Sequence, residues 1–134
     1  QPVEWLLFGA PGEAQMGGEL SAQITVAHRN LVGKTGLKEL IEELRGCDLL
    51  LTNDTGTMHL AAALGVPTVS IFGSTEPSLT GPMGTAHTIL RHHVPCSPCF
   101  KRECPFGHYE CMTGMEVNRV VQAVIGALNA ASAD

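Results

Sequence analysis

Positive charge is scarce in this sequence. Eight Lys and Arg face thirteen Asp and Glu, a formal net charge of −5 over 134 residues. No overall cationic excess is available to displace counterions, which excludes a general nucleic-acid partner. Charged residues of either sign reach only 16% and aromatics 4%, so the core has to be aliphatic. No stretch approaches the roughly 18 consecutive apolar residues of a membrane span. The N-terminus also lacks a basic segment followed by an apolar one, so no signal peptide is read and a cytoplasmic protein is expected. No Gly-x-Gly-x-x-Gly follows a predicted strand, which argues against a dinucleotide-dependent dehydrogenase. An initiator Met is missing as well. The chain opens Gln1-Pro2-Val3-Glu4-Trp5 and enters a predicted strand at once, as expected of a piece of a longer protein.

Hydrophobic residues make up 44% of the sequence, enough for one globular domain over residues 1–134 and too little for two. Val3 to Phe8 predicts a strand, Gly9-Ala10-Pro11-Gly12 a turn, and Glu13 to Ile24 a helix. A short strand is expected near His28 to Val32. Leu37, Leu40, Ile41 and Leu44 form one helical stripe, which Gly46 ends. Asp48 to Thr52 reads as a buried strand, Met58 to Leu64 as a helix stopped by Gly65, and Pro67 to Phe72 as a second buried strand. Strands that alternate with helices and are apolar throughout predict an α/β fold, a Rossmann-like parallel sheet with helices on both faces. Residues 74–112 break the alternation: they are rich in proline, histidine and cysteine and offer one strand, His87 to Leu90. A C-terminal helix is expected from Val117, Val120, Val121, Val124, Ile125 and Leu128, with residues 130–134 frayed.

Thr52-Asn53-Asp54-Thr55-Gly56-Thr57-Met58-His59 spans a predicted strand end and helix start, the edge where open parallel sheets bind ligands. Free N–H groups and the positive end of the helix dipole suit a diphosphate there. Gly56 permits close approach, and the Thr55 and Thr57 hydroxyls add hydrogen bonds. Asp54, which would repel phosphate, suits sugar hydroxyls. His59, about one turn past Thr55, is placed to meet a phosphate or Asp54. The plain alternative is that Asn53, Asp54 or Thr55 merely caps the helix.

This stretch, continued by His59-Leu60-Ala61-Ala62-Ala63-Leu64-Gly65-Val66-Pro67 and by Ile71-Phe72-Gly73-Ser74-Thr75-Glu76-Pro77, resembles the signature of glycosyltransferase family 9, the ADP-heptose:lipopolysaccharide heptosyltransferases. Pro95-Cys96-Ser97-Pro98-Cys99-Phe100, with Cys104-Pro105, Gly107-His108 and Cys111, is similar to the cysteine-bearing loop of the heptosyltransferase II subgroup. The resemblance implies the C-terminal domain of a two-domain GT-B enzyme that works with its own N-terminal domain. It implies inverting transfer of heptose from ADP-heptose to the lipopolysaccharide inner core, with no cofactor required and with peripheral contact at the inner face of the inner membrane. By the same resemblance Asp54 contacts the heptose, Thr55, Gly56 and His59 hold the diphosphate region, and Glu13 reaches the adenosine ribose, a role a carboxylate fills as a double acceptor. A helix-start Glu favoured by the dipole is the alternative for Glu13. Lys34 and Thr35 are further candidates for the adenine side, against a solvated loop lysine. The family's catalytic Asp and its phosphate-loop lysine fall upstream of Gln1, so no catalytic residue is expected within residues 1–134, and the piece alone is expected to be inactive.

Cys47 stands apart and reads as buried and inert. Cys96, Cys99, Cys104 and Cys111 are spaced for a structural zinc site, with His108 or His93 as substitute ligand; a disulfide and free thiols stay open beside it. Arg91, His92, His93, Lys101 and Arg102 bias the loop over residues 91–112 positively, towards a phosphorylated acceptor or simply towards solvent. The competing readings are a nucleotide-sugar epimerase, another GT-B half, or a non-enzymatic interaction module stapled by metal at the cysteines.

Overall fold

The computed structural model describes residues 2–133. Its backbone gathers into two compact units, Gln1–Glu42 and Glu43–Asp134. In both, every strand pairing is parallel.

In the N-terminal unit β1 (Trp5–Leu7) pairs with β2 (His28–Asn30), Trp5 opposite His28 and Leu7 opposite Asn30. The crossover is a short 3-10 turn, Pro11–Glu13, followed by α1 (Ala14–Gln23). The predicted helix therefore starts as a tighter turn, with Pro11 at its first position, where its fixed φ and missing N–H cost nothing. Gly17 lets α1 lie close to the end of β2: a Cβ there would stand 2.7 Å from a methyl of the buried Val32. The helix α2 (Leu37–Arg45) spans the division between the units. Of its predicted stripe Leu44 is fully buried and Leu40 and Ile41 half-buried, whereas Leu37, in the first turn, is exposed.

The C-terminal unit is a three-stranded sheet in the order β3 (Leu50–Asn53), β4 (Thr68–Phe72), β5 (His87–Arg91). Its middle strand is shielded on both faces, Thr68, Val69, Ser70 and Phe72 all being buried. Val69 packs with Leu90 and with Val124 of α6 (Val117–Ser132), so strand alternation turns Thr68, Ser70 and Phe72 to the opposite face. The two polar residues there are satisfied in series: Ser70 Oγ donates to Thr68 Oγ1 at 3.2 Å, and Thr68 Oγ1 meets His87 Nδ1 at 3.0 Å. The helix α3 (Gly56–Ala63) joins β3 to β4 and packs on both. It ends in a Schellman motif: Val66 N–H reaches Ala61 O, Gly65 N–H reaches Ala62 O, and Gly65 takes the left-handed φ of +78°.

The expected parallel α/β architecture is the one observed, and four local expectations need correction: first, β3 lies at the end of its sheet and runs Leu50–Asn53 with only Leu50 buried, in place of a buried strand over Asp48 to Thr52. The helix α3 begins at Gly56, two residues earlier than the apolar pattern suggested, because Thr55 caps it. Two one-turn helices, α4 (Pro77–Thr80) and α5 (Glu110–Thr113), interrupt the supposed loop; four residues are too few to show a period. The helix α6 continues through its alanines to Ser132 instead of fraying at residue 130, as the high helix propensity of alanine allows. Among the described residues no helix is long and apolar enough to cross a membrane.

Gly17 and its neighbour Gly18 should separate packing from propensity. Gly17→Leu is expected to destabilise the N-terminal unit by about 1–3 kcal/mol through overpacking against Val32. Gly18, whose Cβ would meet nothing within 4 Å, should gain up to about 1 kcal/mol as Gly18→Ala. Urea titrations followed by the fluorescence of Trp5, the single tryptophan, which lies in β1, read both.

Candidate functional site

Parallel pairing brings the carboxyl ends of β3, β4 and β5 to one edge, and the turn after β3 carries the motif. Thr55 is extended at φ −146°, and its Oγ1 accepts from Met58 N–H at 3.4 Å. The capping reading thus holds for Thr55. It leaves the N–H groups of Gly56 and Thr57 without an intrahelical partner at the positive end of α3. Gly56 is exposed, and a Cβ on it would meet nothing within 4 Å. Nothing within the chain requires a glycine there; the space in front of it is open.

Asp54 does not cap the helix. Its side chain is only 17% exposed, Oδ2 accepts from Thr80 Oγ1 at 2.8 Å, and Oδ1 lies 4.0 Å from Nε2 of the half-exposed His59. The turn and α4 therefore hold this carboxylate from two sides. Thr80 is a positioning residue that sequence reasoning missed, because it lies 26 residues from Asp54 in no recognisable motif. Thr57 is half-buried in the first turn of α3.

Glu13, Lys34 and Thr35 belong to the N-terminal unit. All three follow the carboxyl ends of β1 and β2, where Gly33 N–H bonds to Gly9 O at 2.9 Å and ties the two turns together. Glu13 makes no side-chain capping bond. Its carboxylate folds over Gly9, where a Cβ would stand 2.6 Å from Glu13 Oε2. Lys34 is exposed and Thr35 half-buried.

The loop after β5 is sewn to the edge of β4. Buried Ser97 donates from Oγ to Gly73 O at 2.6 Å, and Phe100 N–H donates to Ser74 O at 2.7 Å. Arg91 reaches Glu76 Oε2 at 2.8 Å with Nη1 and Ser97 Oγ at 3.4 Å with Nη2. Its Nε is buried without a partner. Arg91 is thus a structural tie neutralised by Glu76, which removes it from the expected basic patch. Lys101 and Arg102 remain exposed. They share a pocket of about 290 Å³ with Asn53, Asp54 and Thr75, so the loop forms one wall and the β3–α3 turn another.

Cys96, Cys99, Cys104 and Cys111 line the same pocket, and among the described residues no disulfide joins any cysteines. Backbone N–H groups, first that of Tyr109 and then those of Phe106, His108 and Gly107, bond to the Cys104 thiol and hold it below its ordinary pKa against a smaller opposing effect of burial. Burial pushes Cys111 up, and the neighbouring Cys99, Cys104 and Cys96 add to the rise. The His108 ring stands between two thiols, Nε2 at 3.9 Å from Cys96 Sγ and Nδ1 at 3.9 Å from Cys104 Sγ. As the side chains stand, no three His, Cys, Asp or Glu groups among the described residues form a ready-made metal site. His93 is exposed and lies outside the pocket lining. Cys47 is half-buried, its Sγ 3.3 Å from Glu43 O.

Comparison with known proteins matches residues 4–110 to the model of "Glycosyltransferase family 9 (heptosyltransferase)". Lipooligosaccharide heptosyltransferase 2 of Campylobacter jejuni is 37% identical over 130 residues, which cover 91% of this chain and 40% of that protein. A family 9 glycosyltransferase from Veillonella parvula superposes with a TM-score of 0.77 at 25% identity, over 92% of this chain and 36% of the other. The Escherichia coli ADP-heptose lps heptosyltransferase II gives a TM-score of 0.63 at 26% identity, over 88% and 36%. The chain thus spans about two fifths of the length of the curated relative it matches.

The Glu76–Arg91 tie predicts an acid response. The Ser78 hydroxyl first, and Arg91 after it, hold the Glu76 carboxyl below its ordinary value of 4.5. A depressed folded-state pKa contributes stability that is present above the unfolded value and lost as pH falls through the folded one. Urea midpoints of the native chain should therefore fall as pH drops below about 4.5, and Glu76→Gln should lower the midpoint at neutral pH and flatten that acid limb.

Proposed function

This chain belongs to glycosyltransferase family 9, and on that footing we propose that it supplies the donor-binding part of an inverting transferase that moves heptose from ADP-heptose to the lipopolysaccharide inner core. The observation that carries the reading is the open N-terminus of α3 beside an Asp54 that caps nothing and is aimed by Thr80 and His59. The diphosphate sits on the free N–H groups of Gly56 and Thr57, with the Thr55 and Thr57 hydroxyls and His59 around it. Asp54 accepts hydroxyls of the heptose. Within the N-terminal unit taken by itself, the family resemblance offers Glu13 as an acceptor for ribose hydroxyls, with Lys34 and Thr35 as further candidates for the nucleoside.

Transfer forms a bond from an acceptor hydroxyl oxygen to the anomeric carbon and breaks the bond from that carbon to the diphosphate oxygen on the opposite face, so the configuration inverts and ADP leaves. Negative charge grows on the departing diphosphate, where the α3 dipole and His59 stabilise it. The proton of the acceptor hydroxyl passes to a base that the family resemblance places outside residues 1–134, so no residue of the chain is offered in that role, and in this reading the reaction draws on no resident cofactor. Lys101 and Arg102 line the acceptor side and favour an anionic lipopolysaccharide core; in this reading the work is done in the cytoplasm, peripherally at the inner face of the inner membrane.

Calorimetric titration of the chain with ADP and with ADP-heptose tests the reading. Asp54→Asn should weaken ADP-heptose about tenfold or more beyond its effect on ADP, the magnitude of a lost hydrogen bond to a charged group. Equal losses for both ligands would remove Asp54 from sugar recognition. Gly56→Ala should fold normally and lose affinity for both; undiminished ADP binding by that variant would move the diphosphate away from α3.

A further inference from the structure

We propose that Cys96, Cys99, Cys104 and Cys111 bind one zinc ion as a tetrathiolate, a structural metal site that pins the loop over residues 91–112 across the pocket. Four thiols from three separate stretches of this loop reach one cavity, and each stretch is placed by a contact of its own. Cys96 and Cys99 flank the Ser97 hydroxyl bonded to Gly73 O and the Phe100 amide bonded to Ser74 O. Cys111 lies on α5, which packs against β4 where Gly73 leaves room for the turn: a Cβ there would stand 2.6 Å from Met112 Sδ and 3.2 Å from Cys111 Sγ. Cys104 opens a turn that Gly107 N–H closes onto its carbonyl at 3.1 Å. That turn needs the left-handed backbone of Gly107 at φ +75° and of Tyr109 at φ +51°, and a non-glycine residue held there is strained.

His108 stands between two of the thiols. Its two nitrogens face different thiols, so a single ion cannot take one of those nitrogens and both sulfurs in this arrangement. The ring is exposed and stacks on the exposed Phe106 with centroids 5.7 Å apart, and swinging it out gives up the bond that its Nδ1 accepts from Glu110 N–H at 3.1 Å. Binding requires His108 to rotate and the four thiols to close on an ion at about 2.3 Å each. Thiolate donors without carboxylate select a soft or borderline ion, and tetrahedral zinc is the redox-silent member of that set.

The experiment is metal analysis of the chain purified under reducing conditions with zinc present, followed by replacement with cobalt(II). One zinc per chain is expected, with cobalt giving the ligand-field and sulfur-to-cobalt charge-transfer bands of a tetrahedral thiolate site. Cys104→Ser and Cys99→Ser should each weaken the metal by more than about tenfold, while His108→Ala and Cys47→Ser keep one equivalent and the wild-type spectrum. Iron in place of zinc, no charge-transfer bands from the folded wild-type chain, or loss of the metal in His108→Ala would each overturn the proposal. The wild-type cobalt titration decides even where a cysteine variant fails to fold.

Discussion

Parallel pairing around β4 is the constraint from which the rest of the C-terminal unit follows. Asn53, Phe72 and Arg91 close three strands that run the same way, so the three loops that leave them emerge at one edge. A parallel strand cannot be reached by a tight turn. Each connection must travel back, and the first of them, α3, returns with its N-terminus at the same edge. The pocket is assembled by topology before any particular side chain is considered.

Arg91 then decides how that edge is closed. It ends β5, holds Glu76 from the loop after β4, and touches Ser97, whose hydroxyl is bonded to Gly73 O. Strand, following loop and cysteine loop meet at this guanidinium. The geometry of a planar donor fork suits such a junction better than a lysine would. The arrangement also helps to seat a long stretch with little regular structure, because Ser97 Oγ and Phe100 N–H bond to Gly73 O and Ser74 O just past β4.

Asp54 shows how far local pattern can be read. A carboxylate just before a helix is the commonest of caps, and nothing within the octapeptide distinguishes that role from ligand binding. The structure gives the cap to Thr55 and hands Asp54 to Thr80 and His59. Glu13 is a similar case, its carboxylate lying over Gly9 without a capping bond. The cysteine loop is the opposite case: its spacing drew attention to a metal, yet only the fold shows which thiols approach and that His108 stands between two of them.

By itself the sequence determined what depends on periodicity and on residue type at short range: the strands, most helix limits, the parallel α/β class, the Gly65 stop and the family signature from Thr52 to Pro77. It left α4 and α5 invisible, since one turn has no period, and it counted Arg91 as a free cation. Only the tertiary structure decided that Thr80 aims Asp54, that Arg91 is neutralised by Glu76, and that Lys101, Arg102 and four cysteines share a pocket with the β3–α3 turn. The physical reason is distance along the chain: these contacts join residues 15 to 58 positions apart, where side-chain chemistry is compatible with many partners and the fold selects one.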